Sequence, residues 1–414
     1  MIYNNVHSFK RGAQKAVNIM IRKILITKEE KNIWTWELED DEVVEIHCSP
    51  QSDNEQQNPR LNSIYVGKVQ NIVPNIGAAF IDIGGINCYY DLSQAPNAFF
   101  THKIGKKPLC IGDELVVQIT REAAKTKAPT VSSNLSFTGR YAVLTSGNTR
   151  IGASAKIPKI QRDELKQKLQ GLKNDDYGLI LRTNAKDVPF ETVLAEIHKL
   201  QMRYAHIKDV AIHRTCYSCL ESAVKPYITD LKNVYLNGLE EILIEDAELF
   251  DKVKEYFEIE QPESLPLLRK YENPSLSLSS LYNLRKIRER AIGERVWLKH
   301  GGYLIIQPTE ALTVVDVNSG KDVSKKNTAE SYLKINLEAA QEIARQMRLR
   351  NLSGIILVDF INLDDENAMQ TLLKTFRHEL SKDPIQATLV DVTELQLVEI
   401  TRKKVRKPLY EYII

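Results

Sequence analysis

The stretch from Ala311 to Ile361 constrains this chain more than any other. Ala311-Leu-Thr-Val-Val-Asp-Val-Asn is a mostly apolar run of buried-strand length. Apolar residues then recur at Leu333, Leu337, Ala340, Ala344 and Met347, and that 4-3-4-3 spacing lines one face of a helix. Asn327, with Glu330 three residues on, suits a capping box in which each side chain satisfies a free backbone donor of the first turn. Gly354-Ile-Ile-Leu-Val-Asp-Phe-Ile reads as a second buried strand. Strand, amphipathic helix and strand in this order predict a right-handed crossover joining two parallel neighbours.

Asp316 and Asp359 fall at matching places near the carboxyl ends of these strands. Neighbouring strands lie about 5 Å apart, so the two carboxylates are expected to meet at the sheet edge where α/β proteins usually bind ligands. Asn318 points to the same face as Asp316, because strand side chains alternate. Like charges this close need a cation or a shared proton. Oxygen donors alone suit Mg²⁺, with Mn²⁺ as the alternative. Such an ion activates water and neutralises charge on a phosphodiester. The same spacing also suits two aspartates that only cap turns at strand ends.

A chain of 414 residues has room for two to four domains. Its net charge of +2 gives no bulk attraction to nucleic acid, so any such surface has to be a local patch. Five cysteines, at 48, 88, 110, 216 and 219, form no disulfide framework and fit a reducing compartment. No apolar run is long enough to span a bilayer. Residues 1–19 carry Lys10, Arg11 and Lys15 without an acid or an apolar core. They read as an N-terminal extension rather than a secretory signal, and the cytoplasm is favoured over organellar import.

Ile33-Trp-Thr-Trp-Glu-Leu-Glu, an Asp40-Asp41 turn and Val43-Val-Glu-Ile-His predict a hairpin, and the polar stretch 49–60 a linker. Short apolar runs at 64–73, 77–83, 87–92 and 114–120 predict a small barrel. Amphipathic helices are expected at 160–173 and 189–205, among strands. An acidic helical stretch and a basic helix around Leu284-Arg-Lys-Ile-Arg-Glu-Arg follow within 231–290.

Gly301-Gly-Tyr-Leu-Ile-Ile-Gln-Pro-Thr-Glu-Ala-Leu-Thr-Val-Val-Asp-Val-Asn-Ser-Gly resembles the catalytic stretch of ribonucleases E and G. The run from Asn336-Leu-Glu-Ala-Ala-Gln-Glu to Ile355-Ile-Leu-Val-Asp-Phe-Ile continues the likeness. The resemblance implies an endonuclease that cuts single-stranded RNA with Mg²⁺, in RNA processing and decay, leaving 5′-phosphate and 3′-hydroxyl ends. Asp316 and Asp359 would hold the metal and Asn318 would orient the attacking water or the phosphate. Asn362 departs from the aspartate that relatives often carry, which touches only the outer shell.

Tyr65-Val-Gly-Lys-Val-Gln-Asn-Ile-Val-Pro-Asn-Ile-Gly-Ala-Ala-Phe-Ile-Asp-Ile-Gly resembles the family's RNA-binding OB-fold. By position its stacking rings fall on Phe80 and Tyr89, and its basic contact on Lys127. Core packing is the other reading for Phe80, whereas one of Tyr89 and Tyr90 must point outward. Gly178-Leu-Ile-Leu-Arg-Thr-Asn and Gly139-Arg-Tyr-Ala-Val resemble the pocket for a 5′-monophosphate, which places Arg182, Thr183 and Val143 on the phosphate.

The expected fold is thus a multidomain α+β chain. An N-terminal extension, 1–19, precedes a split ribonuclease H-like domain, 20–60 with 230–290, paired by analogy. The OB-fold spans 61–134, the 5′-sensor 135–229, and a DNase I-like catalytic domain with a mixed sheet 291–414. Relatives share a zinc through a Cys-Pro-x-Cys segment past the catalytic domain, and no cysteine follows Cys219 here. Zinc is therefore not expected, and the expected assembly is a monomer or a dimer held by protein contacts. Cys216 and Cys219 with His213 make half a zinc site without an evident second half. Two other functions stay open: a non-catalytic single-stranded RNA-binding protein and a single-strand DNA nuclease.

Overall fold

The computed structural model describes residues 21–51, 60–123, 127–234, 238–320 and 328–412. The 1–19 extension, most of the 49–60 linker and the Asn327 cap lie outside them. The chain divides into two compact units, 51–237 on one side and 1–50 with 238–414 on the other.

In the first unit the short apolar runs become a closed barrel. Ile64–Val73 pairs with both Ala78–Asp82 and Glu114–Arg121, while Asn87–Asp91 and Thr130–Ser132 complete the ring of five strands among the described residues. Val69, Ile81, Cys88, Tyr90, Val117 and Ile119 fill its interior. Gly67 permits the tight coiling, since a Cβ there would stand 2.5 Å from Ile81 Cγ2. Beside the barrel, Ser136–Thr138, Ala142–Ser146, Tyr177–Leu181 and Ile151–Ala153 form a four-stranded sheet. Helices Lys159–Leu169 and Phe190–Ala211 accompany it. The second runs six residues past the expected end, because Ile207 and Ala211 continue the buried stripe of Val193, Ile197 and Leu200.

The second unit holds two sheets. Arg22–Glu29, Asn32–Glu39 and Glu42–Pro50 form a meander whose second turn passes through Asp40 (φ 48°) and Asp41 (φ 64°). Left-handed residues at both positions match the twist of a two-residue hairpin. Leu239–Ile244 adds to Arg22–Glu29 in parallel and Leu268–Lys270 follows, so segments far apart in sequence share this sheet.

The other sheet is mixed and runs Arg295–Trp297, Tyr303–Pro308, Leu312–Asn318, Gly354–Asp359, Val398–Arg402, Ala387–Val392. Leu312–Asn318 and Gly354–Asp359 are parallel, joined through the helix Thr328–Leu349. That helix and Glu366–Ser381 cover one sheet face, packing Ile335, Ala339, Ile343, Met347, Leu372 and Phe376 onto Val315, Val317, Ile356 and Val358. The buried stripe is therefore centred on Ile335, Ala339 and Ile343; Ala340, Ala344 and Met347 belong to it, but Leu333 and Leu337 are only half-buried at its margin.

The opposite face is open, with Val314 at 37% and Ile355 at 54% exposed. The apolar runs that suggested strands buried on both faces thus belong to strands covered on one, since both helices pack on the same side. An open face of this kind is usual for antiparallel neighbours, which flank the parallel pair here.

The helix Thr328–Leu349 is also tied to the meander by charge. Arg348 Nη2 lies 2.9 Å from Glu45 Oε1 and 3.1 Å from Glu39 Oε1, all three side chains largely buried. Burial works against the Glu45 carboxylate, but the His47 ring and Arg348 outweigh it and hold its pKa down at about 2. Glu37, directly opposite Glu45, is pushed up to about 7 by burial and by the Glu45 charge.

A raised carboxyl binds its proton more tightly in the folded chain. Its contribution to stability is complete below its ordinary pKa of 4.5 and is lost as the pH rises through about 7. The Glu37→Gln variant should therefore gain on the wild type by about 1–3 kcal/mol between pH 5 and pH 8 in urea unfolding. A difference independent of pH would mean that Glu37 ionises in the folded chain as a surface carboxylate does.

Candidate active site

Along Leu312–Asn318, buried Val315 and Val317 alternate with Asp316 and Asn318, which therefore stand on the open face of the sheet. Asp316 pairs directly with Asp359 across the parallel ladder, one strand spacing of about 5 Å away. Asn318 Nδ2 donates to Asp316 Oδ2 at 2.6 Å. Asp359 is exposed, and its carboxylate accepts no hydrogen bond from the described residues.

Two paired carboxylates, one held only by an amide and the other by nothing described, fit a hard cation that keeps several waters. Among the described residues no group of three or more His, Cys, Asp or Glu could hold a metal. An ion here would have two protein carboxylates and would complete its shell with water or substrate. Asn362 is exposed, three residues past Asp359.

Three supports of this edge were not singled out from sequence. Asn336, fully buried on the helix Thr328–Leu349, donates from Nδ2 to the Ile361 carbonyl at 2.7 Å and accepts the Ile361 N–H on Oδ1 at 3.1 Å. That clasp fixes the backbone two residues beyond Asp359, and a polar residue within the helix's buried stripe was its only trace in the sequence.

Glu338, two residues further along the same helix, accepts the Lys299 and His300 backbone N–H groups and meets His300 Nδ1. Burial opposes its charge, yet these donors hold its pKa below the usual range. Gly302 lets the same turn approach the strand end, for a Cβ there would lie 2.7 Å from the Asn318 carbonyl.

In the other unit, Arg182 and Thr183 follow the strand Tyr177–Leu181. Arg182 Nη1 donates to the Gly139 carbonyl at 2.6 Å, and burial lowers its pKa from the usual value while Glu196 opposes the shift. The Thr183 hydroxyl lies 3.0 Å from Ser154 Oγ. Val143 is half-buried and pairs with Ile180 in the same sheet.

Glu196, which sequence reasoning missed, takes three backbone donors in its carboxylate: Arg140 N and Tyr141 N at 2.7 Å and Ala142 N at 2.9 Å. Gly139 leaves room for this carboxylate, since a Cβ there would stand 2.2 Å from Glu196 Oε1 and displace it. Glu196 thereby shapes the turn on which Arg182 rests.

On the barrel, Phe80 and Tyr89 face each other across Ala78–Asp82 and Asn87–Asp91. Both are half-buried on the outer side, while Ala79, Ile81 and Tyr90 point in and Tyr90 bonds Ser133 at 2.8 Å. Lys127 is exposed, two residues before Pro129, whose carbonyl accepts the Tyr89 N–H. Cys219 pairs with Tyr65 at the barrel's edge, and burial, with the nearby Glu114 charge, pushes the Cys216 thiol up. Among the described residues no helix is long and apolar enough to cross a membrane.

A family model described as the ribonuclease E/G family matches residues 136–405. The chain is 33% identical over 362 residues to ribonuclease E of Synechocystis sp., covering 85% of this chain and 53% of that protein. It is 32% identical over 367 residues to a ribonuclease E/G-like protein of Pyropia yezoensis, covering 86% and 71%. It is 29% identical over 361 residues to ribonuclease G of Salmonella typhimurium, covering 84% and 73%. The chain spans about half the length of the ribonuclease E relatives from Synechocystis and Nostoc.

Removing the Glu196 carboxylate strands three backbone donors that it now satisfies. Glu196→Ala should cost about 2–3 kcal/mol in urea unfolding, and Glu196→Gln, which keeps one acceptor oxygen, less. An unchanged unfolding midpoint in the alanine variant would show that water takes over the three bonds.

Proposed function

The chain belongs to the ribonuclease E/G family, and on that footing we propose that it is a metal-dependent endoribonuclease. Its substrate is single-stranded RNA, cut in RNA processing and decay, with 5′-monophosphorylated ends preferred. The observation that carries the reading is the direct pairing of Asp316 with Asp359, with Asn318 bonded to the first of them.

Asp316 and Asp359 hold Mg²⁺, or Mn²⁺ in its place, on the open face of the mixed sheet. The bound ion supplies charge neutralisation at the phosphate and a water of lowered pKa. Asn318 fixes the Asp316 carboxylate through its amide and helps orient the attacking water or the phosphate. Arg182 and Thr183, with Val143 beside them, take the 5′-monophosphate. Phe80 and Tyr89 stack bases on the barrel and Lys127 draws the RNA backbone toward them.

In this reading the barrel of 61–134 is an OB-fold and 135–229 the 5′-sensor. The halves 20–60 and 230–290 form a ribonuclease H-like domain, and 291–414 a DNase I-like catalytic domain. The protein works in the cytoplasm.

The test is a fluorescent 5′-monophosphorylated single-stranded RNA incubated with the protein, with and without Mg²⁺. Cleavage only with Mg²⁺ is expected. Binding without cleavage would favour a non-catalytic RNA-binding protein, and faster cutting of the matching DNA a DNA nuclease. Asp316→Asn and Asp359→Asn should each abolish cleavage without lowering the unfolding midpoint, because an amide holds Mg²⁺ far more weakly than a carboxylate. Near-normal cleavage by both variants at limiting Mg²⁺ would sink the metal assignment.

Arg182→Ala should slow cleavage of 5′-monophosphorylated RNA by about tenfold to a hundredfold, the loss of one charge-assisted contact. Cleavage of 5′-hydroxyl RNA should barely change. Equal losses on both substrates would make Arg182 a structural residue or a general RNA contact.

A further inference from the structure

The chain has three tryptophans. Trp34 and Trp36 are buried, at 3% and 0% exposed, whereas Trp297 is 67% exposed. Trp297 is paired across the ladder with Tyr303, their rings 5.3 Å apart and inclined at 59°. The Arg295 guanidinium lies 4.7 Å from the Tyr303 ring and 5.6 Å from the Trp297 ring. Arg295 is exposed and makes no ion pair among the described residues.

The register of the sheet connects this group to the carboxylates. Tyr303 is opposite Asn318, Arg295 is opposite Ile305, Ile305 opposite Asp316, and Asp316 opposite Asp359. Residues that face one another in a ladder lie on the same side of the sheet. Two adjacent rows therefore run across the open face, Trp297–Tyr303–Asn318 and Arg295–Ile305–Asp316–Asp359. The tryptophan's strand is two strand spacings, about 10 Å, from that of Asp316 and three, about 14 Å, from that of Asp359.

We propose that Trp297 and Tyr303 form a base-stacking subsite for the RNA strand next to its scissile phosphate, with Arg295 contacting a phosphate of the same strand. The inference rests on the reading of Asp316 and Asp359 as the cleavage site and adds what holds the substrate there. An exposed indole on the same open face as the carboxylates offers a flat surface for any base, because every base has a π face. Arg295 beside it, without an ion pair among the described residues, supplies the positive charge that a phosphate needs and that a protein partner's apolar patch would not. The subsite is therefore tolerant of sequence.

Trp297 is the tryptophan that solvent and RNA reach, so the full chain reports on the subsite directly. A short 5′-hydroxyl single-stranded RNA, titrated in without divalent metal, should quench the tryptophan emission to saturation. Anisotropy of the labelled RNA should show binding about fivefold to a hundredfold weaker for Trp297→Ala, with Trp297→Phe recovering most of the loss. With Mg²⁺ present, Trp297→Ala should raise KM and leave kcat within about twofold, since the ring binds without touching the reacting atoms.

RNA binding without quenching, or Trp297→Ala binding and cutting as the wild type does, would overturn the subsite while RNA cleavage stands. Quenching by a wild-type protein that cuts no RNA would instead strike the nuclease reading, and with it the placement beside a scissile phosphate. A mass in light scattering that falls in Trp297→Ala, at unchanged RNA affinity, would assign the ring to a contact between copies of the chain and overturn the proposal.

Discussion

The parallel pairing of Leu312–Asn318 with Gly354–Asp359 brings Asp316 opposite Asp359, and the rest of the mixed sheet is arranged around that juxtaposition. Two carboxylates one strand spacing apart repel each other when both are charged, and among the described residues the only side-chain donor to either is the Asn318 amide on Asp316. What holds them is the apolar packing beneath. Val315, Val317, Ile356 and Val358 alternate with the polar positions and are fully or almost fully buried against two helices. The hydrophobic face fixes the register, and the register fixes the charges, because a slip of one residue would turn every side chain to the other side.

The helix Thr328–Leu349 carries more of this arrangement than its role as a connection suggests. Its apolar stripe covers the sheet, Asn336 clasps the backbone after Asp359, Glu338 gathers the turn before Gly302, and Arg348 pairs with Glu39 and Glu45 on the meander. A single rigid element thus contacts both sides of the carboxylate edge and the neighbouring sheet of the same unit. Positioning groups so close to a charged site work best on a helix whose own rotamers are locked by packing.

A carboxylate plays the corresponding part in the other unit. Glu196 fills the concavity made by three successive backbone N–H groups and so sets the turn whose Gly139 carbonyl receives Arg182. The barrel divides its aromatic residues by the same alternation that divides the sheet. Tyr90 goes inward to a hydrogen bond with Ser133, and its neighbour Tyr89 outward to face Phe80.

Local periodicity determined much of this. The strand–helix–strand succession around Asp316 and Asp359, the Asp40–Asp41 hairpin and the short strands of the barrel all follow from patterns a few residues long. Two helices depart from the pattern: Phe190–Ala211 runs on because Ile207 and Ala211 continue its buried stripe, and in Thr328–Leu349 the buried polar Asn336 interrupts the stripe. What tertiary structure alone decided is non-local. The parallel union of Arg22–Glu29 with Leu239–Ile244, the choice of one covered and one open sheet face, and the rows that bring Trp297 and Arg295 into line with Asp316 depend on which strands become neighbours. Strand pairing joins residues far apart in the chain, and the side-chain period of two is the same whichever partner is taken. Sequence therefore determined which residues share a face of their own strand, and only the assembled sheets determined what each face would meet.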